Sequence, residues 1–355
     1  MLVHYLYLNN KKVLFNEIKE GIVLGETPFE KSTLSFCRQW LNGKGLFSLK
    51  TSGSTGEPKD INISRHQMKL SAHQTINFFN LSPADTVLVC LNTAYIAGIM
   101  MLVRAFESGA NIIASEPESN PLDNVSEQID FLAVVPLQLS DILNNPHTKS
   151  KLEQCRVTIV GGAPVSIKLA EEIKNSTANI YATFGMTETL THFALRQLSP
   201  VSEDSFTALD EVILGQDDRG CLTIASPVTE NKVLSTNDQV ELISQISFKW
   251  LGRVDNVINS GGFKLRIEDL ERKVEQAFLD LNLDYRFFVG SVMDEKLGER
   301  IVLVIECETE IEAITNINWL PYFNQYQKPR EIIYQKRFRE TPTGKINRQE
   351  ILNNI

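Results

Sequence analysis

Short apolar runs alternate with helical patterns through the first half of the chain. Residues 85–92 are predicted to form a buried strand, and residues 96–107 an apolar helix that ends at Gly109. The same rhythm predicts further strands at residues 111–115, 131–135, 156–160 and 180–182. Strands separated by helices favour a mainly parallel sheet covered by helices, so the fold class is predicted to be α/β.

Two glycine-containing loops follow predicted strands. Gly161-Gly162-Ala163 comes directly after residues 156–160, and Phe184-Gly185 comes shortly after residues 180–182. Ligands of α/β sheets bind at the carboxyl ends of the strands. We therefore expect both loops to reach a substrate.

After about Leu209 the pattern becomes β-rich. Residues 215–220 are predicted to be a turn between short apolar segments, and residues 240–250 alternate imperfectly between apolar and polar positions. A smaller β-subdomain is expected here, attached to the parallel part of the chain.

A second unit is predicted after Gly252-Arg253. It begins with a helix at residues 267–280 and continues with strands near residues 287–289 and 301–306. We expect two domains: a large N-terminal domain, residues 1–252, and a small α+β C-terminal domain, residues 253–355.

Composition narrows the class of protein. The chain has 355 residues and a net charge of −9, which argues against a nucleic-acid binder. Its five cysteines are widely spaced and form no CxxC pair, which favours reduced thiols and makes any metal a hard ion. No signal-peptide pattern and no apolar run of about 18 residues occurs, so we expect no integral membrane segment and a cytoplasmic protein.

The richest chemistry lies at residues 51–59, TSGSTGEPK. Glycines that accept positive φ, hydroxyl donors and a lysine are the groups that hold phosphate. These residues are Thr51, Ser52, Gly53, Ser54, Thr55, Gly56 and Lys59. The loop is not a Walker sequence, because Pro58 follows Glu57. A Ser/Thr/Gly surface turn is the alternative to a phosphate site.

Further motifs follow in order along the chain. They are YATFGMTE at 181–188, STND at 235–238, GRVD at 252–255, SGGFK at 260–264, IEDLE at 267–271, VG with Asp294 and GE at 289–299, KPR at 328–330 and TPTGKINR at 341–348. Together with residues 51–59, this ordered set resembles the adenylate-forming superfamily of acyl-CoA synthetases, luciferases and nonribosomal-peptide adenylation domains.

The resemblance implies roles on the ATP side. Residues 51–59 hold the β- and γ-phosphates, Thr187 contacts the α-phosphate, Glu188 binds Mg²⁺, and Asp238 and Arg253 lie at the ribose. The nucleotide-side residues also include Gly161, Gly162, Ala163, Tyr181, Phe184 and Gly185. Without the motifs, Glu188 would be a helix N-terminal acid, Asp238 a turn residue and Arg253 a surface charge.

The resemblance also implies roles for the C-terminal domain. Lys345 is the catalytic lysine, and Asp255 is a hinge about which this domain moves. Gly261 and Gly262 let the pantetheine arm of coenzyme A pass close to the backbone. A hairpin turn is the other interpretation of this glycine pair, and both can hold.

The acid pocket is predicted from fewer signals. Tyr95 stands where many relatives have a histidine, and it is either a substrate contact or a core tyrosine. Thr191, His192 and Arg196 are candidates for polar contacts with the acid; the alternative is a helix of mixed polarity packed on the sheet.

The expected activity is that of an ATP-dependent acid-CoA ligase that works through an acyl adenylate. Its partners would be a small carboxylic acid, ATP and coenzyme A. Only 50 residues precede the phosphate loop, which predicts an abbreviated N-terminal region and resembles a compact type of 2-succinylbenzoate-CoA ligase of menaquinone biosynthesis. Alternatives are another aryl or short-chain acyl-CoA ligase, an enzyme that loads a carrier protein, and a non-catalytic nucleotide-binding paralogue.

Overall fold

The computed structural model describes residues 4–50, 60–340 and 346–354. Its strands in chain order are β1 (Tyr5–Leu8), β2 (Lys11–Leu14), β3 (Leu46–Lys50), β4 (Asp60–Ser64), β5 (Thr86–Val89), β6 (Asn111–Ala114), β7 (Phe131–Val134), β8 (Val157–Val160), β9 (Ile180–Gly185), β10 (His192–Ser199), β11 (Phe206–Ala208), β12 (Ile213–Gln216), β13 (Cys221–Ala225), β14 (Leu234–Ser244), β15 (Ser247–Arg253), β16 (Val257–Ser260), β17 (Phe263–Arg266), β18 (Phe287–Asp294), β19 (Gly298–Glu306) and β20 (Glu331–Gln335). Its helices are α1 (Phe15–Glu20), α2 (Pro28–Leu41), α3 (Arg65–Phe79), α4 (Ile96–Ser108), α5 (Pro136–Asn144), α6 (Pro146–Gln154), α7 (Ile167–Lys174), α8 (Ile267–Asp280), α9 (Glu312–Thr315) and α10 (Arg348–Leu352).

A large mixed sheet organises residues up to Arg253. Among the described residues it has 13 strands in the order β12-β13-β14-β15-β11-β10-β9-β8-β7-β5-β6-β1-β2. The neighbours from β9 to β1 in this order are parallel, and their connections include α4 to α7. The predicted α/β class with a parallel sheet covered by helices is confirmed.

The predicted β-rich segment is present as the antiparallel strands β10 to β15. Strand β10 pairs antiparallel with β9, so the later strands continue the same sheet. Residues 240–250 alternate imperfectly because they contain a hairpin: Ser244 pairs with Ser247 across the two-residue loop Gln245-Ile246. That loop lacks the Asn-Gly or Asp-Gly pair that marks such turns in a sequence.

Helices α3 and α4 lie side by side over the sheet and supply part of the site described below. Helix α3 begins with a capping box, in which the Ser64 side chain accepts from the Gln67 backbone N–H. Helix α4 ends at Gly109 as predicted, with φ of 73°. Residues 98–105 of α4 are all buried, so this helix is packed on every side.

The residues after Arg253 build a smaller unit around a second, five-stranded sheet. Helix α8 has the predicted bounds, and its buried residues pack on β18 and β19. The buried side chains of residues 258–351 form clusters separate from the main core. This separation supports our proposal of a domain boundary at Gly252-Arg253, the last two residues of β15.

Contacts between the two units involve the first turn of α7. The Ile167 backbone N–H donates to the Glu275 carboxylate of α8 at 2.7 Å, and Lys168 pairs with Asp284 at 3.0 Å. Burial is the main cause of a raised pKa for Glu275. In the described part of the chain, no helix is both long enough and apolar enough to cross a membrane.

Candidate active site

The predicted nucleotide loops meet at one edge of the large sheet. Gly161-Gly162-Ala163 follows β8, and residues 186–191 follow the neighbouring strand β9, so both lie at carboxyl ends of parallel strands. A Cβ atom at Gly161 would collide with the Thr183 hydroxyl of β9, so the close approach of these strands requires glycine there. This is the edge at which ligands of α/β sheets bind.

A separate two-stranded sheet borders the predicted phosphate loop. Strands β3 and β4 pair antiparallel up to the partners Lys50 and Asp60, which flank the loop on both sides. Residues 51–59 themselves lie outside the described residues.

A tight loop presents Thr187 and Glu188 to solvent. The two residues form a single 3₁₀ turn with Thr189 and are exposed. The buried Thr189 hydroxyl accepts from the Met186 N–H at 3.0 Å and contacts the Thr191 carbonyl at 2.8 Å. Leu190 has φ of 68° and ψ of −54°, and the Thr191 N–H reaches the Thr189 carbonyl at 2.7 Å. This is a γ-turn with positive φ, a strained conformation typical of functional sites.

Asp238 and Arg253, both predicted at the ribose, are cross-strand partners on β14 and β15. The Asp238 side chain is 13% exposed and accepts from the Trp250 indole N–H at 2.9 Å, while the Arg253 guanidinium lies 3.9 Å away. Burial raises the pKa of Asp238, and the Trp250 hydrogen bond and Arg253 oppose that effect. Trp250 was not identified from the sequence, because only the strand pairing brings it to Asp238.

The proposed hinge residue, Asp255, is held by two neighbours. Arg253 donates to both of its carboxylate oxygens, at 2.8 and 2.6 Å, and Asn237 donates at 3.1 Å. The Arg253 hydrogen bonds lower the pKa of Asp255. Arg253 therefore lies close to both Asp238, which is predicted at the ribose, and Asp255, which is the predicted hinge.

We expect Asp238→Asn to separate stability from nucleotide binding. A carboxyl with a raised folded pKa adds stability below its unfolded pKa, and this is lost as pH rises through the folded pKa. The ionised Asp238 therefore costs folding free energy at neutral pH. The amide that replaces the carboxylate keeps an acceptor for Trp250, so the Tm at pH 7 should stay unchanged or rise. At acidic pH, where the wild-type carboxyl is protonated, the Tm of the variant should not exceed that of wild type. The KM for ATP should rise about tenfold or more.

Thermal melts from about pH 4 to pH 8, with kinetic measurements of KM for ATP, test this prediction. Asp255→Asn is the matched control with the opposite sign. The pKa of Asp255 is lowered in the folded state, and this adds stability above the unfolded pKa. That stability is lost as pH falls through the folded pKa. Replacing the charged carboxylate by a neutral amide should therefore lower the Tm at pH 7. A variant Asp238→Asn that melts well below wild type at pH 7 would contradict the electrostatics assigned here.

Sequence reasoning missed a buried arginine close to the candidate acid residues. Arg104 of α4 is 3% exposed and has no carboxylate within ion-pair distance in the described part of the chain. Its Nε donates to the Thr75 hydroxyl at 3.2 Å, and its Nη2 donates to the Thr191 hydroxyl at 3.4 Å. Thr75 also contacts His192 Nε2 at 3.1 Å, and Thr191 contacts the Ser71 hydroxyl at 2.6 Å. We call these five residues the Arg104 cluster.

The Arg104 cluster is positively charged, and four of its five residues are buried. Burial lowers the pKa of Arg104 to about 10, so the guanidinium stays charged at neutral pH. Burial and then the charge on Arg104 lower the pKa of His192 well below 6.5, so the imidazole is neutral. A buried cation without a counter-ion is costly, which makes this cluster an unusual feature of the core.

The structure brings Thr191 and His192 together but places Arg196 elsewhere. Arg196 pairs with Ala182, and the adjacent Tyr181 packs against Phe79 of α3. Because neighbouring strand residues point to opposite faces, Arg196 lies on the face away from α3, beside the Phe206 ring. The helix considered as an alternative for residues 191–196 is also not formed, since His192 begins β10.

The aromatic candidates take different positions. Tyr181 lies 5.1 Å from the Phe79 ring and forms part of the core contact between α3 and the sheet. Phe184 is half-buried at the sheet edge, with ring centroids 5.1 Å from Phe206 and 5.2 Å from Phe248. Tyr95 is half-buried and is the N-cap residue of α4, at the end of the connection that follows β5.

The Gly261-Gly262 pair forms the turn of a hairpin. Its φ values are 58° and 84°, and the flanking Ser260 and Phe263 are partners of β16 and β17. Two residues with positive φ make the type of turn that glycine favours. Apart from its chain neighbours, no atom of the described residues lies within 4 Å of a Cβ built on Gly262. The hairpin interpretation is confirmed, and a coenzyme role stays a proposal. Lys345 lies outside the described residues.

Comparisons with known proteins agree with this geometry. The AMP-binding enzyme family profile matches residues 46–241, more than half of the chain. A solved structure described as an acyl-CoA synthetase (AMP-forming)/AMP-acid ligase II-like protein from Dyadobacter fermentans is 37% identical, covers 95% of this chain and 97% of its own, and has a TM-score of 0.64. The chain belongs to the AMP-binding enzyme family, and the predicted resemblance to adenylate-forming enzymes is confirmed.

Two further relatives are more distant. The o-succinylbenzoate CoA synthetase from Bacillus subtilis, solved with its acyl-adenylate intermediate, is 18% identical over 86% of this chain and 68% of its own, with a TM-score of 0.72, and shares the fold. A 2-succinylbenzoate-CoA ligase from Salmonella typhimurium strain LT2 is 22% identical over 82% of this chain. The chain spans 64% of the length of that ligase.

Proposed function

We propose that the protein is an ATP-dependent acid-CoA ligase that acts on 2-succinylbenzoate through an acyl adenylate. The family supports the reaction class, and the Arg104 cluster supports the substrate. Each part of the proposal depends on a different set of residues and fails separately.

The reaction has two steps. First, a carboxylate oxygen of the acid attacks the α-phosphorus of ATP, the bond to the β-phosphate oxygen breaks, and pyrophosphate leaves with the electron pair. Second, the thiolate of coenzyme A attacks the acyl carbon, the bond to the AMP oxygen breaks, and AMP leaves; the thiol proton is released to solvent. The first step gives the acid a leaving group, which a free carboxylate lacks.

The sheet edge supplies the groups for the first step. Thr187 would donate to the α-phosphate and residues 51–59 to the β- and γ-phosphates, which stabilises charge that develops in the transition state. Asp238 and Arg253 would hold the ribose, since a buried carboxylate is a strong acceptor for two hydroxyls. The exposed 3₁₀ turn beside the β8 loop supports this arrangement.

The residues present fit a magnesium ion. Glu188 is an exposed carboxylate with no ion pair within the described residues, and Mg²⁺ is commonly held by one or two carboxylates together with substrate phosphates. The described residues contain no group of three or more potential metal ligands, so phosphate oxygens would complete the coordination. When bound, the ion would neutralise phosphate charge.

The observation that carries the substrate assignment is the unpaired charge of Arg104. 2-Succinylbenzoate has a second carboxylate that does not react, as well as a ketone and an aromatic ring. A charged guanidinium with no carboxylate partner in the described part of the chain is suited to bind such a group. Thr191 links the cluster to the loop that carries Glu188, three residues earlier.

A substrate panel tests the proposal. Release of AMP is measured with and without coenzyme A for 2-succinylbenzoate, 3-benzoylpropanoate, benzoate and a medium-chain fatty acid. We expect the highest kcat/KM for 2-succinylbenzoate, because its ring carboxylate would bind Arg104. 3-Benzoylpropanoate lacks only this carboxylate, so it measures what that contact contributes. A preference for a monoacid would rule out the substrate and leave the reaction class, whereas no AMP from any acid would contradict both. AMP release that needs a carrier protein instead of coenzyme A would favour the carrier-loading alternative.

A further inference from the structure

The orientation of Arg104 depends on one hydroxyl group. Among its contacts in the described residues, the Nε donation to Thr75 at 3.2 Å is the shortest; the contacts with Thr191 and with the Met101 sulfur are 3.4 and 3.7 Å. Only the first lies within the usual range of an N–H···O hydrogen bond. Thr75 is fully buried on α3, so water does not compete for its hydroxyl.

The hydroxyl of Thr75 has a single proton, which must go to another acceptor because Arg104 donates to the oxygen. Two acceptors are in reach: His192 Nε2 at 3.1 Å and the Ser71 carbonyl at 3.4 Å. We assign the proton to the shorter contact, with Nε2 as the acceptor, and this assignment requires the neutral His192 imidazole to carry its own proton on Nδ1. In this arrangement donation runs from Arg104 through Thr75 to His192.

Part of the Arg104 guanidinium remains available to a ligand. Arginine has five N–H bonds, and the three contacts above use one each from Nε, Nη1 and Nη2. One N–H on Nη1 and one on Nη2 have no acceptor among the described residues. Nη1 and Nη2 together form a fork through which a guanidinium binds both oxygens of a carboxylate.

We propose that Thr75 is a positioning residue for acid selection, which anchors Nε of Arg104 and is itself oriented by His192. The anchor turns the Nη1 and Nη2 fork toward the second carboxylate of the substrate. Thr75 does not touch the substrate; it acts through Arg104. This inference rests on the proposed function, because it requires an acid with a second carboxylate.

The test uses the ratio of kcat/KM for 2-succinylbenzoate to kcat/KM for 3-benzoylpropanoate. Thr75→Val keeps the shape and removes the hydroxyl, so the ratio should fall about tenfold or more, the scale for a hydrogen bond to a charged group. Thr75→Ser keeps the hydroxyl and should restore the ratio to near wild type. Thr148→Val is the matched control, since Thr148 is also fully buried and donates to the Ile142 carbonyl at 3.0 Å, remote from the cluster. It should alter stability but not the ratio.

Coupling to Arg104 separates failure of this inference from failure of the proposed function. The double variant Thr75→Val/Arg104→Met should have the same ratio as Arg104→Met alone, because the two residues act as a unit. If Arg104→Met lowers the ratio and Thr75→Val does not, the positioning role is wrong and the substrate assignment stands. If neither variant changes the ratio, both are wrong.

A spectroscopic measurement on the unmodified protein does not depend on whether the variants fold. ¹⁵N chemical shifts of the His192 ring should report a neutral imidazole with the proton on Nδ1 at neutral pH. A proton on Nε2, or a charged ring, would reverse the donation through Thr75 and overturn the proposal.

Discussion

Replacing Lys345 with alanine is expected to slow adenylation by roughly 10²- to 10³-fold or more, the scale for losing one transition-state donor. In the proposed mechanism the charge of Lys345 acts only as the carboxylate meets the α-phosphate. The use of a preformed acyl adenylate with coenzyme A should survive in the same variant. Single-turnover assays of the two half-reactions measure both effects.

Lys336→Ala is the matched control for this experiment. Lys336 lies nine residues before Lys345 in the chain, and its ammonium group pairs with Glu308 on the surface. Neither half-reaction should change in this control. If Lys345→Ala impairs both half-reactions equally, the assignment of this lysine to adenylation alone is wrong, and the expected movement of the C-terminal domain about Asp255 loses its support.

Local patterns predicted the elements whose ends are marked by local signals. Helix α8 has the predicted bounds, and α4 differs by one residue, because apolar periodicity, aided in α4 by the following Gly109, fixes a helix without distant contacts. The Gly261-Gly262 turn was recognised for the same reason. The Gln245-Ile246 turn was not, because its conformation depends on the pairing of β14 with β15 and its residues carry no turn signal.

The sequence predicts the candidate site residues that belong to motifs, but it does not predict the contacts that form only when distant segments pack together. Asp238 and Arg253 were found by motif, yet the contact of Asp238 with Trp250 follows from strand pairing. The Arg104 cluster joins α3, α4 and the start of β10, whose partners are 29 and 87 residues apart in the chain. The available signal was a lone arginine within the otherwise apolar residues 96–106 of α4, because charged side chains are rarely buried without a specific role.

The expected effect of Arg104→Met is a loss of kcat/KM for 2-succinylbenzoate of about 10²-fold or more, with 3-benzoylpropanoate near wild type. Removing one partner of a buried, hydrogen-bonded charge pair costs about 2–5 kcal/mol, and each 1.36 kcal/mol is tenfold. Arg104→Lys should lie between the two, because an ammonium group keeps the charge but loses the planar fork. Steady-state kinetics on both acids measure the effect.

Stability provides the control for Arg104→Met. The ligand-free protein carries the cost of a buried cation without a counter-ion, so a methionine of similar shape should leave the Tm unchanged or raise it. Arg156→Met is the matched comparison: Arg156 pairs with Asp85 at 2.9 Å, so its loss should lower the Tm without changing acid preference. Saturating 2-succinylbenzoate should stabilise wild type against heat and have little effect on Arg104→Met. A large drop in Tm with equal losses on both acids would instead mean that Arg104 serves the core, and the second carboxylate would have to bind elsewhere.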